Sequence, residues 1–319
     1  MKVVCVNIDK IDYDGKLDSS CIPGEVTFYS DSSKTEFMER VKQADIIVTK
    51  EYVVSEDMIM QLPDCVKMIC EAGTGYNNID LEACRKRNIM VCNTPAYSTK
   101  RVAHTAIMLI LMLASSMPKQ LHMIHKKDHR NFTQHMMVEH MEVNDKILGI
   151  IGEGNIGKEV IKIAQALDMK ILVYTRTPKK DHDGICYVSL EELLKQADFV
   201  SLHCPLTPDT KHIINKETLS LMKSTAFLIN TSRGALIDEE ALLHALQNKK
   251  IAGAGLDVQE VEPPREDHPF YEMDQVILTP HMGWRGLETR QRLLQLVSNT
   301  LNAYIEGHPI NVIVNTNNM

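Results

Sequence analysis

The sequence predicts an α/β protein of two domains, and three observations predict it. Short β-rich apolar runs alternate with helical stretches along almost the whole chain, the mark of βαβ units and a parallel sheet. Residues Ile150 to Gly157 read I-I-G-E-G-N-I-G, a glycine fingerprint that follows one such run and opens a helix. The length of 319 residues suits two domains of roughly 100–200 residues rather than one.

In the first hundred residues the runs Val3–Ile8, Asp45–Thr49, Val66–Cys70 and Ile89–Asn93 read as strands, and Thr35–Gln43 and Leu81–Arg87 as helices. Val102–Met117 is apolar around most of its circumference and predicts a helix buried on more than one side, at a domain connection or a subunit interface. The polar, His- and Met-rich stretch 119–145 predicts a helix followed by a loop. A second βαβ series starts at Lys146, with strands at Ile147–Ile151, Lys170–Tyr174, Phe199–His203, Ala226–Asn230, Ala254–Val258 and Val276–Leu278. From Asn302 onward the pattern reads as a helix and a tail returning to the first domain. The expected division is 1–100 plus 291–319 as a substrate domain, with 101–290 inserted as a dinucleotide-binding domain. The active site is expected in the cleft between them.

Composition narrows the class. Lys and Arg number 35 against 42 Asp and Glu, a net charge of 35 − 42 = −7. Nothing in that balance favours nucleic acid or an anionic membrane. No apolar run approaches the ~18 residues of a membrane span, and the N-terminus lacks a signal-peptide pattern. The eight cysteines form no C-x-x-C pair and several sit in strand patterns, which predicts buried free thiols in a reducing cytoplasm.

In the fingerprint, Gly152 permits the tight turn, Gly154 admits the pyrophosphate, and Gly157 allows close helix–strand packing. The amides of Asn155 and Ile156 face the phosphates at the helix N-terminus. An NAD-preferring site offers an acid at the end of the next strand, roughly 20 residues on. Here Thr175 and Arg176 stand in its place. An arginine pairs with a 2′-phosphate, so NADPH is the expected cofactor. Stacking of Arg176 on adenine would instead let NADH serve as well.

Three further stretches carry the chemistry. Arg233 follows the strand Ala226–Asn230, where ligands collect in open α/β sheets. Its guanidinium suits a substrate carboxylate and the adjacent carbonyl. His281 follows another strand end, and an ordinary imidazole titrates near ~6.5, so it suits proton transfer. Glu262 can orient that ring. Each alone could be a surface charge or a cap. Together, after a nucleotide fingerprint, they point to hydride transfer to a carbonyl beside a carboxylate.

At this point the chain resembles the D-isomer-specific 2-hydroxyacid dehydrogenases over nearly its whole length. The runs D-F-V-S-L-H-C-P-L-T-P-D-T from Asp198, N-T-S-R-G from Asn230 and A-G-A-G-L-D-V from Ala252 carry the resemblance. It implies a flavodoxin-like substrate domain, a Rossmann-type cofactor domain and a homodimer. It implies Arg233, Glu262 and His281 as the catalytic triad, Asp257 at the nicotinamide carboxamide, and Pro205 and Thr210 beside the cofactor. The loop E-A-G-T-G-Y from Glu71 is similar to the family's carboxylate-binding turn, with consecutive amides of Ala72, Gly73 and Thr74 forming an anion nest. The segments N-T-P-A-Y-S-T from Asn93 and T-P-H-M-G-W from Thr279 resemble glycerate dehydrogenases, also called hydroxypyruvate reductases. Trp284 would close the site beside a small substrate, unless its role is packing. The expected reaction is reduction of hydroxypyruvate to D-glycerate, with glyoxylate to glycolate alongside it. The alternatives are another D-2-hydroxyacid dehydrogenase, such as one for D-lactate, and a dinucleotide-sensing corepressor.

Two departures stand out: V-A-H-T at 102–105, where relatives carry Glu or Gln before His, and Glu153 inside the fingerprint, where a hydrophobic residue is usual. His122, His125 and His129 are spaced to share one helix face, with His135 and His140 beyond. No cysteine completes a ligand spacing, so no metal is expected.

Overall fold

The computed structural model describes residues 1–177 and 179–316. The chain forms two compact units, one of Met1–Ser98 with residues from Trp284 onward, the other Thr99–Gly283. The return to the first unit thus comes earlier than the expected 290/291. Trp284 meets the Tyr97 ring edge-on at 6.4 Å. Arg290 grips Asp14 with two bonds of 2.9 Å. Residues 317–319, the end of the expected substrate domain, lie outside the described residues.

In the first unit, β1 (Lys2–Cys5), β2 (Glu25–Phe28), β3 (Ile46–Thr49), β4 (Met68–Glu71) and β5 (Met90–Cys92) run parallel in the order 2-1-3-4-5. That is the flavodoxin-like order. β3, β4 and β5 are buried along their whole length, as covered parallel strands are. The sequence reading missed β2, a mostly exposed edge strand without an apolar run, and the short helix Glu56–Met60. It also placed the last helix wrongly. That helix spans Leu287–Ile305 and ends where a helix from Asn302 was expected to begin. Its buried stripe of Leu293, Leu294, Val297, Leu301 and Tyr304 is interleaved with polar residues, which hid the period. The tail is a strand, Val312–Val314, antiparallel to β5.

In the second unit, β6 (Ile147–Ile151), β7 (Lys170–Tyr174), β8 (Ile185–Tyr187), β9 (Phe199–Leu202), β10 (Phe227–Asn230), β11 (Gly253–Leu256) and β12 (Val276–Leu278) form one parallel sheet. The order is β8-β7-β6-β9-β10-β11-β12. Counted within the unit this is the Rossmann order 3-2-1-4-5-6 with one strand added. Only β8, three residues at the edge, was not foreseen.

The apolar helix spans Thr99–Ala114 and packs on the helix Asn155–Gln165, β10 and β11. A Cβ at Gly255 would stand 3.0 Å from Leu109, so that glycine lets the helix sit close on β11. Most of its apolar circumference is therefore covered within its own unit, while Leu111 is exposed. At Ser116 the chain takes a left-handed conformation (φ +47°), and a second helix, Met117–His125, starts there. That helix stops after His125, and His129 caps a separate short one. The three histidines therefore do not share one helix face. Among the described residues no group of His, Cys, Asp or Glu is placed to hold a metal. The cysteines are all unpaired, with Cys186 exposed. No single described helix is long and apolar enough to cross a membrane; the bent pair Thr99–Ala114 and Met117–His125 reaches that length only jointly.

Candidate active site

The reactive residues of the second unit stand beyond the carboxyl ends of β10, β11 and β12, where an open parallel sheet leaves backbone groups for ligands. β10 ends at Asn230, whose side chain bonds the Arg233 carbonyl at 2.8 Å and accepts from the Ser232 amide at 3.0 Å. Ser232 is anchored in turn to the Cys204 carbonyl at 2.8 Å. These bonds fix the backbone that carries Arg233, and the guanidinium folds back to the Ser232 carbonyl at 2.8 Å. Gly234 follows. A Cβ there would lie 1.9 Å from the Gln259 carbonyl, so only glycine lets the arginine loop press against the loop that carries Glu262.

Glu262 uses both oxygens. Oε1 accepts from the Gln259 amide at 3.0 Å, and Oε2 lies 2.8 Å from His281 Nδ1. The first bond fixes the carboxylate, and the second fixes the ring. His281 itself sits at φ +49° with its amide bonded to the Asp257 carbonyl at 2.9 Å. Histidine tolerates that left-handed conformation better than most residues.

Asp257 is 1% exposed and clamps the same loop. Oδ1 accepts from Thr279 Oγ1 at 2.6 Å and the Met282 amide at 2.9 Å; Oδ2 accepts from the Gly283 amide at 2.8 Å. A carboxylate offers about four acceptor positions. A nicotinamide carboxamide, the expected partner of Asp257, would have the remaining one.

The fingerprint fits a dinucleotide. Gly152 has φ +97°, and a Cβ on it would meet the Cys204 amide at 2.6 Å. A Cβ at Gly157 would meet the Gly152 carbonyl at 2.3 Å, which is the close helix–strand approach. A Cβ at Gly154 would meet nothing within 4 Å, so open space lies in front of the helix N-terminus. Asn155 and Ile156 open that helix with amides that have no partner a turn back. Thr210 Oγ1 bonds the Pro205 carbonyl at 2.6 Å, which closes the loop after β9. Thr175 Oγ1 bonds the Thr177 carbonyl at 2.7 Å, while Arg176 is exposed and, among the described residues, makes no hydrogen bond or ion pair.

Sequence reasoning missed His203 in this unit. Its amide donates to the Ile151 carbonyl at 2.8 Å, and its Nε2 lies 2.9 Å from Ser201 Oγ. Burial pushes the imidazole down to about 4. The signal was weaker than for His281, since His203 read as the last residue of the expected strand Phe199–His203, whereas the strand ends at Leu202.

In the first unit, the turn after β4 differs in detail from the expected nest. The Ala72 amide is committed to the Thr49 carbonyl at 2.7 Å, because the ladder between β3 and β4 continues one step past Glu71. Among the described residues this leaves the amides of Gly73 and Thr74 for an anion. The Asn93 side chain steadies the turn through the Thr74 carbonyl at 2.8 Å. Trp284 is buried, with the Lys50 ammonium 4.1 Å above its ring. Lys50 and Glu71, both buried, received no role in the sequence reading: Lys50 lies in no recognised motif, and Glu71 only opens the E-A-G-T-G-Y loop. His104, at the departure in 102–105, is exposed, whereas Thr105 is buried and bonds Arg101.

A profile of the family described as D-isomer specific 2-hydroxyacid dehydrogenase, NAD binding domain, matches residues 107–283. Over 98% of its length the chain is 35% identical to a hydroxypyruvate reductase of Blautia hydrogenotrophica, covering 99% of that protein. The chain belongs to this family. Among solved structures, this D-2-hydroxyacid dehydrogenase is similar to an acyclic imino acid reductase in complex with NADPH and D-Arg. The TM-score is 0.85 at 30% identity, over 98% of this chain and 100% of that one. It is also similar to a D-lactate dehydrogenase of Aquifex aeolicus complexed with NAD and lactic acid, with a TM-score of 0.83 at 30% identity, over 98% and 99% of the two chains. As a member of the family the dehydrogenase is an oxidoreductase that uses a nicotinamide dinucleotide and acts on small 2-keto or 2-hydroxy acids.

Proposed function

We propose that this dehydrogenase reduces hydroxypyruvate to D-glycerate, accepts glyoxylate as a second substrate, and prefers NADPH to NADH. The observation that carries the reaction is the 2.8 Å pairing of His281 Nδ1 with Glu262. It leaves Nε2 to serve the substrate oxygen.

When bound, the dinucleotide supplies the hydride for reduction. Arg233 holds the substrate carboxylate with a planar two-pronged fork and polarises the adjacent carbonyl. His281 gives its Nε2 proton to the carbonyl oxygen, and Glu262 stabilises the ring while it is charged. In the oxidative direction His281 takes the proton from the hydroxyl.

The 35% identity to a hydroxypyruvate reductase supports the substrate. The preference for NADPH rests on Arg176, an unengaged guanidinium among the described residues, at the end of β7 where an NAD-preferring site offers an acid. A homodimer in the cytoplasm completes the reading. Its support is the exposed apolar set that follows the helix Thr99–Ala114, with Leu121, Ile124 and a 76% exposed Phe132.

The test is a set of initial rates with NADPH and NADH against hydroxypyruvate, glyoxylate, pyruvate and 2-ketobutyrate. Fastest turnover with hydroxypyruvate and NADPH is expected. Preference for pyruvate would replace the substrate, and activity confined to NADH would discard the role of Arg176.

A further inference from the structure

Glu153 interrupts the glycine fingerprint with a charge of the same sign as a pyrophosphate. Its side chain is nonetheless 5% exposed and well bonded. Oε2 accepts from Lys179 Nζ at 2.6 Å and from Tyr187 Oη at 2.9 Å. Tyr187 is held in turn by His182 Nε2 at 3.1 Å and by its own amide on Asp181 at 2.8 Å. Burial pushes the Glu153 carboxyl up, and the bonds from Lys179 and Tyr187 with the charges of Lys179 and Lys158 outweigh it, so Glu153 is a carboxylate.

The place of this network matters. Glu153 lies just past β6, Lys179 in the connection after β7, and Tyr187 at the end of β8, three neighbouring parallel strands. The Gly152 amide bonds the Tyr174 carbonyl at 2.9 Å, which joins the glycine turn to the end of β7. That strand end is where a dinucleotide fold reads the adenosine ribose. The carboxylate that β7 lacks is therefore present at the same corner, delivered from the glycine turn. Both of its bonds use Oε2, and among the described residues Oε1 accepts none.

We propose that Glu153 is the residue that keeps NADH usable: Oε1 accepts the ribose 2′-hydroxyl, while Oε2 ties down Lys179. This rests on the reading that Arg176 attracts a 2′-phosphate, and it adds the opposing element. A 2′-phosphate meets Arg176 but also a fixed carboxylate, and the second nearby cation is engaged by that carboxylate. Selectivity is then a difference between two charges at one corner.

The measurement is direct binding of NADPH and NADH to the full-length protein, followed by the fluorescence of the bound reduced nicotinamide. The readout is the ratio of the two dissociation constants, which cancels any effect on the shared pyrophosphate. Glu153→Gln is expected to move that ratio toward NADPH by about tenfold or more, because NADH loses a charged acceptor and NADPH gains Lys179. Lys179→Met in the Glu153→Gln background is expected to remove the part of the shift that comes from Lys179 and to leave the part that comes from the lost ribose acceptor. Tyr187→Phe, which weakens the same network without changing a charge, is expected to leave the ratio alone. A ratio that stays within about twofold in Glu153→Gln overturns the proposal, as does an equal shift in Tyr187→Phe, which would make the network merely structural. Arg176→Ala separates the two readings. If it moves the ratio and Glu153→Gln does not, only this proposal fails; if Glu153→Gln moves it and Arg176→Ala does not, only the Arg176 reading fails.

Discussion

Glu262 Oε2 lies 2.8 Å from His281 Nδ1, and Glu262 Oε1 is held by the Gln259 amide at 3.0 Å. The carboxylate is thus a fixed object between backbone and imidazole. A ring on such a mount loses little orientational freedom when substrate binds, and proton transfer depends on that geometry.

Glu262→Gln keeps the shape and removes the charge. It is expected to lower kcat by about 10²-fold, with a much smaller change in KM, since the ring stays in place but its charged form loses a partner. Steady-state kinetics with hydroxypyruvate measures this. A rise in KM with kcat intact would show that Glu262 serves binding alone.

Arg233→Lys tests the fork. A lysine keeps the charge and loses the two-pronged geometry, so kcat/KM is expected to fall by about 10²-fold, or roughly 3 kcal/mol. A fall below about threefold would mean that charge alone suffices at this position.

Gly234→Ala tests how the two loops meet. A Cβ there would stand 1.9 Å from the Gln259 carbonyl, and backbone cannot yield as a side-chain tip does. The variant is expected to melt at lower temperature and to lose most of its activity, because Arg233 and the Glu262 loop part together. A thermal melt beside an activity assay reads both. Full activity at an unchanged melting temperature would show that the contact is not needed.

What the sequence made legible, and what it hid, follows from where each signal lives. The fingerprint was readable because Gly152, Gly154 and Gly157 each answer a different backbone demand at fixed spacing, and the structure meets all three. The helix Leu287–Ile305 was misread because its buried stripe is diluted by polar neighbours. Glu153 was visible as an anomaly, but its partners Lys179 and Tyr187 lie after β7 and at the end of β8, and only the strand order β6-β7-β8 brings them together. The surroundings of Lys50 and Glu71 were illegible for the same reason: Thr49, the neighbour of Lys50, reaches the Glu71 carboxylate at 2.7 Å only because β3 lies beside β4.

That second pair gives a stability prediction. Glu71 is fully buried and accepts from Thr49 Oγ1 at 2.7 Å, the Glu51 amide at 2.9 Å and Asn78 at 2.9 Å. Burial alone would pull Lys50 down, but Tyr97, Glu51 and Glu71 hold it above the usual lysine value, so it remains an ammonium. Lys50→Met is expected to destabilise the protein by about 3–5 kcal/mol, because it removes the buried ammonium that pairs with Glu51 at 2.6 Å and whose charge opposes the upward push of burial on the Glu71 carboxyl. Adding Glu71→Gln should recover part of that loss. Denaturant titration of the single and double variants decides it, and a double variant less stable than Lys50→Met would show that no charge coupling exists.

His203 gives the pH dependence. Its folded-state value of about 4 lies below the ordinary 6.5 because burial disfavours the charged ring. Between those two values the unfolded chain holds a proton that the folded protein does not, so stability rises with pH across the window. The contribution is complete above pH 6.5 and is lost as pH falls toward 4. Its full size is about 3 kcal/mol at most. His203→Gln has no such proton, so its stability relative to the parent should improve steadily as pH is lowered through that range. The comparison by denaturant titration at several pH values isolates this residue from the carboxylates, which titrate alike in both proteins. Parallel stability curves for the two proteins would mean that His203 is not held neutral by the fold.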